Sequence, residues 1–287
     1  MKTYNDIYLD ARKLLKAAGV EAYSLEARLL LSYAAGKNTT EFQRDMRLFA
    51  SPEYEAEAAR LLKRRMEGEP VAYITGEWEF LGLPMIVTPA TLIPRVDTEL
   101  IAETAIEFLR GAESPRVLDL CTGTGCIGIA IAKNIASARV VLADVSQEAL
   151  KIARKNAVLN GVSSRAMAVE ADALAEPAPI LRDFSLLVCN PPYIPSGDIA
   201  GLDVSVRSYE PLSALDGGED GLSFYRSVCE KWQKTLLPGA RIVFECGIGQ
   251  SDGLRELGEA SGLRFIEARK DTLGIDRAII FENCINI

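Results

Sequence analysis

Residues 116–125, Arg116-Val117-Leu118-Asp119-Leu120-Cys121-Thr122-Gly123-Thr124-Gly125, run from an apolar segment straight into a glycine-rich turn. An apolar run of this length, bounded by turn-formers, reads as a buried strand, and Cys126–Asn134 beyond it as a helix. The glycines let the backbone turn tightly and leave N–H groups open at the helix start. The same alternation repeats outward. Further strands are expected over Arg139–Ala143, Ala166–Ala171, Phe184–Cys189 and Arg241–Cys246, then near Leu263–Ala268 and Arg277–Glu282. Helices are expected over Gln147–Asn160, capped by Ser146 and ended by Gly161, and around Leu222–Leu236. Strands alternating with helices predict an α/β fold with a doubly wound, mostly parallel sheet of seven strands.

The 75 residues at the start read differently. Ile7, Ala11, Leu14, Leu15 and Ala18 keep helical spacing, with Gly19 as a C-terminal cap. A second helix, capped by Ser24 and closed by Gly36, turns Ala27, Leu30, Leu31 and Ala34 inward. Ser51-Pro52 starts a third, with Tyr54, Ala58, Leu61 and Leu62 on one face. Trp78 and Phe80, then Met85, Ile86 and Val87, flank Leu81-Gly82-Leu83-Pro84 and predict a hairpin linker. A helix follows from near Asp97.

Composition removes much chemistry. The 287 residues include no histidine, which excludes Ser-His-Asp and Cys-His nucleophile systems and every histidine-containing metal site. The six cysteines form no CxxC pair, pointing to a reducing compartment. Cys121, Cys126, Cys189 and Cys246 fall near strand ends, but not at zinc-site spacing, and no metal is expected. Net charge is −8 and lies almost wholly beyond residue 75, which disfavours a phosphate-tracking groove. No apolar run is long enough to span a bilayer, and Asp6 and Asp10 are wrong for a signal peptide. A soluble, cytoplasmic protein is expected.

Four strand ends carry the candidate chemistry. Residues 123–128 match the dinucleotide fingerprint, and Asp144, past the second strand, suits a ribose diol. Asp172, past the third, could accept from an adenine amino group. Past the fourth stands Asn190-Pro191-Pro192-Tyr193, whose prolines fix a rigid set of carbonyl acceptors beside an amide. That element has no place in hydride transfer, and no suitable proton donor is evident, so S-adenosylmethionine fits better than NAD. Hydrogen bonds from a planar NH2 group to the Asn190 side-chain oxygen and a Pro191 carbonyl would orient its nitrogen for methylation. The tetrapeptide alone leaves an amide and a nucleobase amino group both open. Glu245, at a strand end nearby, suits a structural or a pocket-floor role equally.

The glycine loop, Asp144 and the tetrapeptide together resemble class I S-adenosylmethionine-dependent methyltransferases. The remaining motifs are similar to those of the peptide chain release factor glutamine methyltransferases (HemK/PrmC family). They are Pro70-Val71-Ala72-Tyr73-Ile74-Thr75-Gly76, Glu79-Phe80, Thr88-Pro89-Ala90-Thr91-Leu92-Ile93-Pro94-Arg95, Asp97-Thr98-Glu99, Tyr209-Glu210-Pro211 and Leu215-Asp216-Gly217-Gly218-Glu219-Asp220-Gly221. The resemblance implies a Rossmann-like sheet with its last strand antiparallel. It also implies a helical substrate-docking domain at 1–75, a linker at 76–95 and a methyltransferase domain at 96–287. The implied reaction converts S-adenosyl-L-methionine to S-adenosyl-L-homocysteine and methylates the glutamine amide nitrogen in the Gly-Gly-Gln loop of class 1 release factors. Cys121, Thr122, Gly123, Thr124, Gly125, Asp144, Asp172, Ala173 and Asn190 would line the cofactor pocket. Asn190, Pro191, Pro192, Tyr193 and Arg95 would meet the substrate, with Tyr193 packed on the planar amide. Cys121 stands where that family often has glycine, and Ala173 where it often has an aromatic. An amino-nitrogen methyltransferase of DNA or ribosomal RNA is the runner-up, and a binding protein that retains the fold is a third class. Neither a nucleic-acid substrate nor a membrane partner is expected from the acidic balance and the missing basic, aromatic-studded surface.

Overall fold

The computed structural model describes residues 1–284. The chain divides into two compact units, Met1–Glu77 with Val204–Tyr209, and Trp78–Asp203 with Glu210–Ile287. The first is helical, with α1 (Tyr4–Ala17), α2 (Tyr23–Ala34), α3 (Thr39–Arg44), α4 (Pro52–Met66) and α5 (Val71–Thr75). Local sequence explains most of the boundaries. Thr3 and Asp6 form a capping box on α1, Asn38 and Glu41 another on α3, and the Ser51 hydroxyl accepts from the Tyr54 N–H at 3.2 Å. Ala11, Leu15, Ala27, Leu30, Leu31 and Leu61 are fully buried at the centre. Three expectations fail here. Leu14 is 49% exposed, Ala18 is exposed at the C-cap of α1, and Ser24 does not cap α2, which starts one residue earlier. The Ser24 hydroxyl meets Tyr8 Oη at 3.0 Å instead.

The second unit begins with the two-stranded hairpin of β1 (Glu77–Phe80) and β2 (Leu83–Ile86). Its turn is Leu81-Gly82, with φ of 49° and 72°, the pair of left-handed residues that a tight hairpin demands. Then come α6 (Val96–Leu109), β3 (Arg116–Leu120), α7 (Cys126–Asn134), β4 (Arg139–Asp144), α8 (Gln147–Leu159), β5 (Ala166–Glu170) and β6 (Phe184–Cys189). The short helix α9 (Val204–Arg207) belongs to the first unit. The rest is α10 (Ser223–Lys231), β7 (Leu236–Glu245), α11 (Ser251–Ala260), β8 (Leu263–Lys270) and β9 (Asp276–Asn283).

The large sheet has the order β5-β4-β3-β6-β7-β9-β8. It is parallel from β5 to β7, and β9 runs antiparallel to both its neighbours. The expected doubly wound, mostly parallel sheet with its last strand reversed is therefore present. Leu118, Leu120, Leu142, Leu187, Val188, Ile242 and Phe244 are fully buried, as strands covered on both faces require. Two elements differ from expectation. The helix predicted to reach Leu236 stops at Lys231, followed by a 3-10 turn over Trp232–Thr235. Leu236 already pairs with Phe184 in β7, and the ladder shifts register before Leu186 and Arg241, so Pro238-Gly239 sits in a strand irregularity. The helix α11 has no counterpart among the predicted elements.

Candidate active site

The carboxyl ends of β3 and β6 lie side by side, Leu120 opposite Cys189, where the strand order reverses. Open α/β sheets bind ligands at such a point. From β3 the chain enters the glycine loop at Cys121, whose φ is +61°. A left-handed conformation costs a residue with a Cβ about 1–2 kcal/mol, a physical reason for glycine at this position. Gly123 and Gly125 are also left-handed, and Gly125 starts α7.

Two carboxylates shape the loop. Asp119 is fully buried, and its Oδ2 accepts from Thr122 Oγ1 at 2.5 Å and from the Gly128 N–H at 2.9 Å. Burial pushes its pKa up to about 7 against those two bonds, and among the described residues its Oδ1 has no hydrogen-bond partner. A Cβ on Gly128 would lie 2.3 Å from Leu142 Cδ2 and 2.8 Å from Asp119 Oδ2, so only glycine fits beneath the loop. Asp144, at the end of β4, accepts from the Gly123 N–H at 2.8 Å and the Ser146 N–H at 2.9 Å. Burial raises its pKa, and the backbone bonds oppose the rise. Asn156, fully buried in α8, holds the loop from behind. Its amide donates to the Thr124 carbonyl at 2.9 Å and spans the Ile86 N–H and carbonyl of β2 at 2.7 and 3.0 Å.

These elements enclose a cavity of about 630 Å³. It gathers Cys121, Thr122, Gly123, Thr124, Asp144, Asp172, Ala173, Asn190 and Pro192 from the residues singled out in the sequence. Gly125, Pro191, Tyr193 and Arg95 do not line it. Gly125 turns the chain, Pro191 is buried, and Arg95 pairs with the buried Glu210 carboxylate. The ring of Tyr193 packs against the sheet core, and its hydroxyl donates to Glu245 Oε1 at 3.3 Å. Its backbone carbonyl accepts from Gln250 Nε2 at 2.8 Å. Asp172 accepts from the Leu174 N–H through Oδ1, and the Ala173 carbonyl from Ser227 Oγ and Trp232 Nε1. An aromatic ring is nevertheless present, because Phe224 of α10 lines the same cavity. Its distance along the chain left no sequence signal.

At the β6 end of the cavity, Asn190 Nδ2 donates to Thr98 Oγ1 of α6 at 3.2 Å. Behind them Glu245, at the end of β7, is 2% exposed. Burial raises its pKa to about 7, opposed by Thr98, Arg277 and Tyr193 and reinforced by Asp97. Burial also pushes the thiol of Cys126 up to about 12 and that of Cys189 well above its ordinary value, so neither offers a thiolate. Among the described residues, no three His, Cys, Asp or Glu side chains converge on a metal-sized site, and no helix is long and apolar enough to cross a membrane.

Family models match two stretches of the chain: the PrmC N-terminal domain over residues 6–76 and the methyltransferase small domain over residues 97–202. The release factor glutamine methyltransferase of Geobacter sulfurreducens is 40% identical over 268 residues, covering 93% of this chain and 92% of that protein. Its counterpart from Agrobacterium fabrum is 37% identical over 275 residues, covering 94% of each. Among solved structures, the catalytic domain of hMettl16 aligns with a TM-score of 0.55 at 17% identity, covering 82% of this chain and 83% of that one. A methyltransferase from Pyrococcus furiosus aligns with a TM-score of 0.51 at 16% identity, covering 79% and 100%. At such identity the structural likeness concerns the fold.

Proposed function

The chain belongs to the release factor glutamine methyltransferase family, and we propose that it methylates the side-chain amide nitrogen (N5) of the glutamine in the Gly-Gly-Gln loop of class 1 peptide chain release factors. The methyl donor in this reading is S-adenosylmethionine. The cavity volume lies within the ~300–1,000 Å³ usual for ligand sites. Asp144 engages one N–H with each oxygen, and a carboxylate retains lone pairs for a ribose diol. Phe224 offers an aromatic face in the wall that Ala173 leaves open. Cys121, Thr122, Gly123, Thr124, Asp144, Asp172 and Ala173 would hold the cofactor, with Gly125 setting the loop's course. When bound, the cofactor supplies an electrophilic methyl group on sulfur.

The chain's own residues then solve a problem of nucleophilicity. An amide nitrogen is weak because its lone pair is delocalised into the carbonyl. Accepting an N–H at Oδ1 of Asn190, which lines the cavity, raises electron density on nitrogen and fixes its direction. Positioning of this kind can account for ~7–11 kcal/mol of a barrier in good cases. The proton can leave after transfer, so no strong base is required, in keeping with a chain that has no histidine. Pro192 walls the cavity next to Asn190, and Tyr193 anchors the tetrapeptide to Glu245. Arg95, tied to Glu210, would serve the substrate by holding the segment that carries Leu92 and Pro94 to the cavity.

The observation that carries this reading is the Asn190 amide at the cavity end of β6, beside the glycine loop of β3. The helical unit would dock the release factor, and such a partner implies action in the cytoplasm. Mass spectrometry of a release factor, DNA and RNA after incubation with labelled cofactor tests the substrate. Label on the glutamine alone supports the reading, and label only in nucleic acid overturns it.

A further inference from the structure

The Asn190 side chain has two ends that differ only in what they offer: an oxygen that accepts and an NH2 that donates. Methylation of a planar NH2 group needs the oxygen toward the cavity. The reverse orientation sets donor against donor and repels the substrate nitrogen. Nothing in the tetrapeptide itself selects one orientation.

The selection comes from α6. Thr98 is 2% exposed, lines the cavity and accepts from Asn190 Nδ2 at 3.2 Å. With Nδ2 held on the Thr98 oxygen, Oδ1 is the end of the Asn190 amide left for the substrate.

We propose that Thr98 is the positioning residue that locks the Asn190 amide with its oxygen toward the substrate. This rests on the role of Asn190 given above. It assigns to α6, an element remote from the tetrapeptide in sequence, the choice between a productive and an inverted acceptor.

The test compares wild type with Thr98→Val, which removes the hydroxyl at nearly constant shape, and Thr98→Ser, which restores it. Methyl transfer to a release factor is followed with saturating S-adenosylmethionine, and cofactor affinity is measured by calorimetry. The expected result for Thr98→Val is a kcat at least tenfold lower, with cofactor affinity and substrate KM within twofold of wild type. Thr98→Ser should lie within twofold of wild type throughout. If Thr98→Val does not fold, Thr98→Ala takes its place with the same expectation. Equal kcat in the valine and wild-type enzymes overturns the proposal, as does a serine variant as slow as the valine one.

A substrate-free readout separates this from the function itself. By NMR, the Asn190 side-chain NH2 should exchange slowly with solvent in the wild-type and serine proteins and at least tenfold faster in the valine variant. Unchanged exchange overturns the lock even where wild type is active. Loss of protection in a protein that labels only nucleic acid supports the lock while overturning the release-factor substrate.

Discussion

Replacing Glu245 by glutamine makes a nearly isosteric change at a carboxyl group that is 2% exposed. Burial raises its pKa from the ordinary 4.5 to about 7. Between those values the folded protein keeps a proton that the unfolded chain has released. Unfolding then releases a proton, so stability falls as pH rises through the window. Integrating this linkage from pH 5 to pH 8 gives about 2–3 kcal/mol lost by the wild type through this one group. Glutamine does not titrate. The stability of Glu245→Gln relative to wild type should therefore rise by about 2–3 kcal/mol across the same interval. Any fixed cost of mismatched bonds to Tyr193 or Thr98 cancels in that difference, and so does Asp119, which is raised to about 7 in both proteins. Urea denaturation at pH 5, 6, 7 and 8, with equal m-values, measures it. A constant offset between the two proteins at every pH would refute the reasoning, because it would mean that Glu245 is ionised in the folded state throughout.

Further outcomes follow from the site. Asn190→Ala should keep S-adenosylmethionine binding by calorimetry and lose ~10²–10³-fold in methyl transfer, the scale seen when one oriented polar contact is removed from a reacting centre. Asn156→Ala strips partners from Ile86 and Thr124 and should cost about 2–4 kcal/mol in urea denaturation. Gly128→Ala forces a Cβ against Leu142 and Asp119 and should cost about 1–3 kcal/mol in the same assay.

Segments bounded by strong punctuation were legible from sequence. Gly and Pro frame β3 and β6, and both strands have their expected bounds. Ser51-Pro52 starts α4 as expected. Where punctuation misleads, expectation fails. Pro238-Gly239 reads as a turn but lies within β7. Gly253 and Gly258 weaken the helical pattern of α11, and Gly258 is required because a Cβ there would sit 2.3 Å from the Phe281 ring. At the site, residues that follow a strand end, such as Asp144 and Asn190, announce themselves by position. Thr98 is 92 positions from Asn190, and no local pattern links them. Only the sheet order brings them together.

The first unit includes residues 204–209, where Tyr209 Oη donates to the Glu67 carbonyl at 3.0 Å and Val204 lies against Gly68. A chain emerging from the ribosome folds its early segments first. Here the amino-terminal helices cannot acquire their last contacts until synthesis has passed Tyr209. A fragment ending at residue 77 would be an unfinished body, and grafting these helices onto another enzyme would require carrying a piece from the middle of the catalytic half.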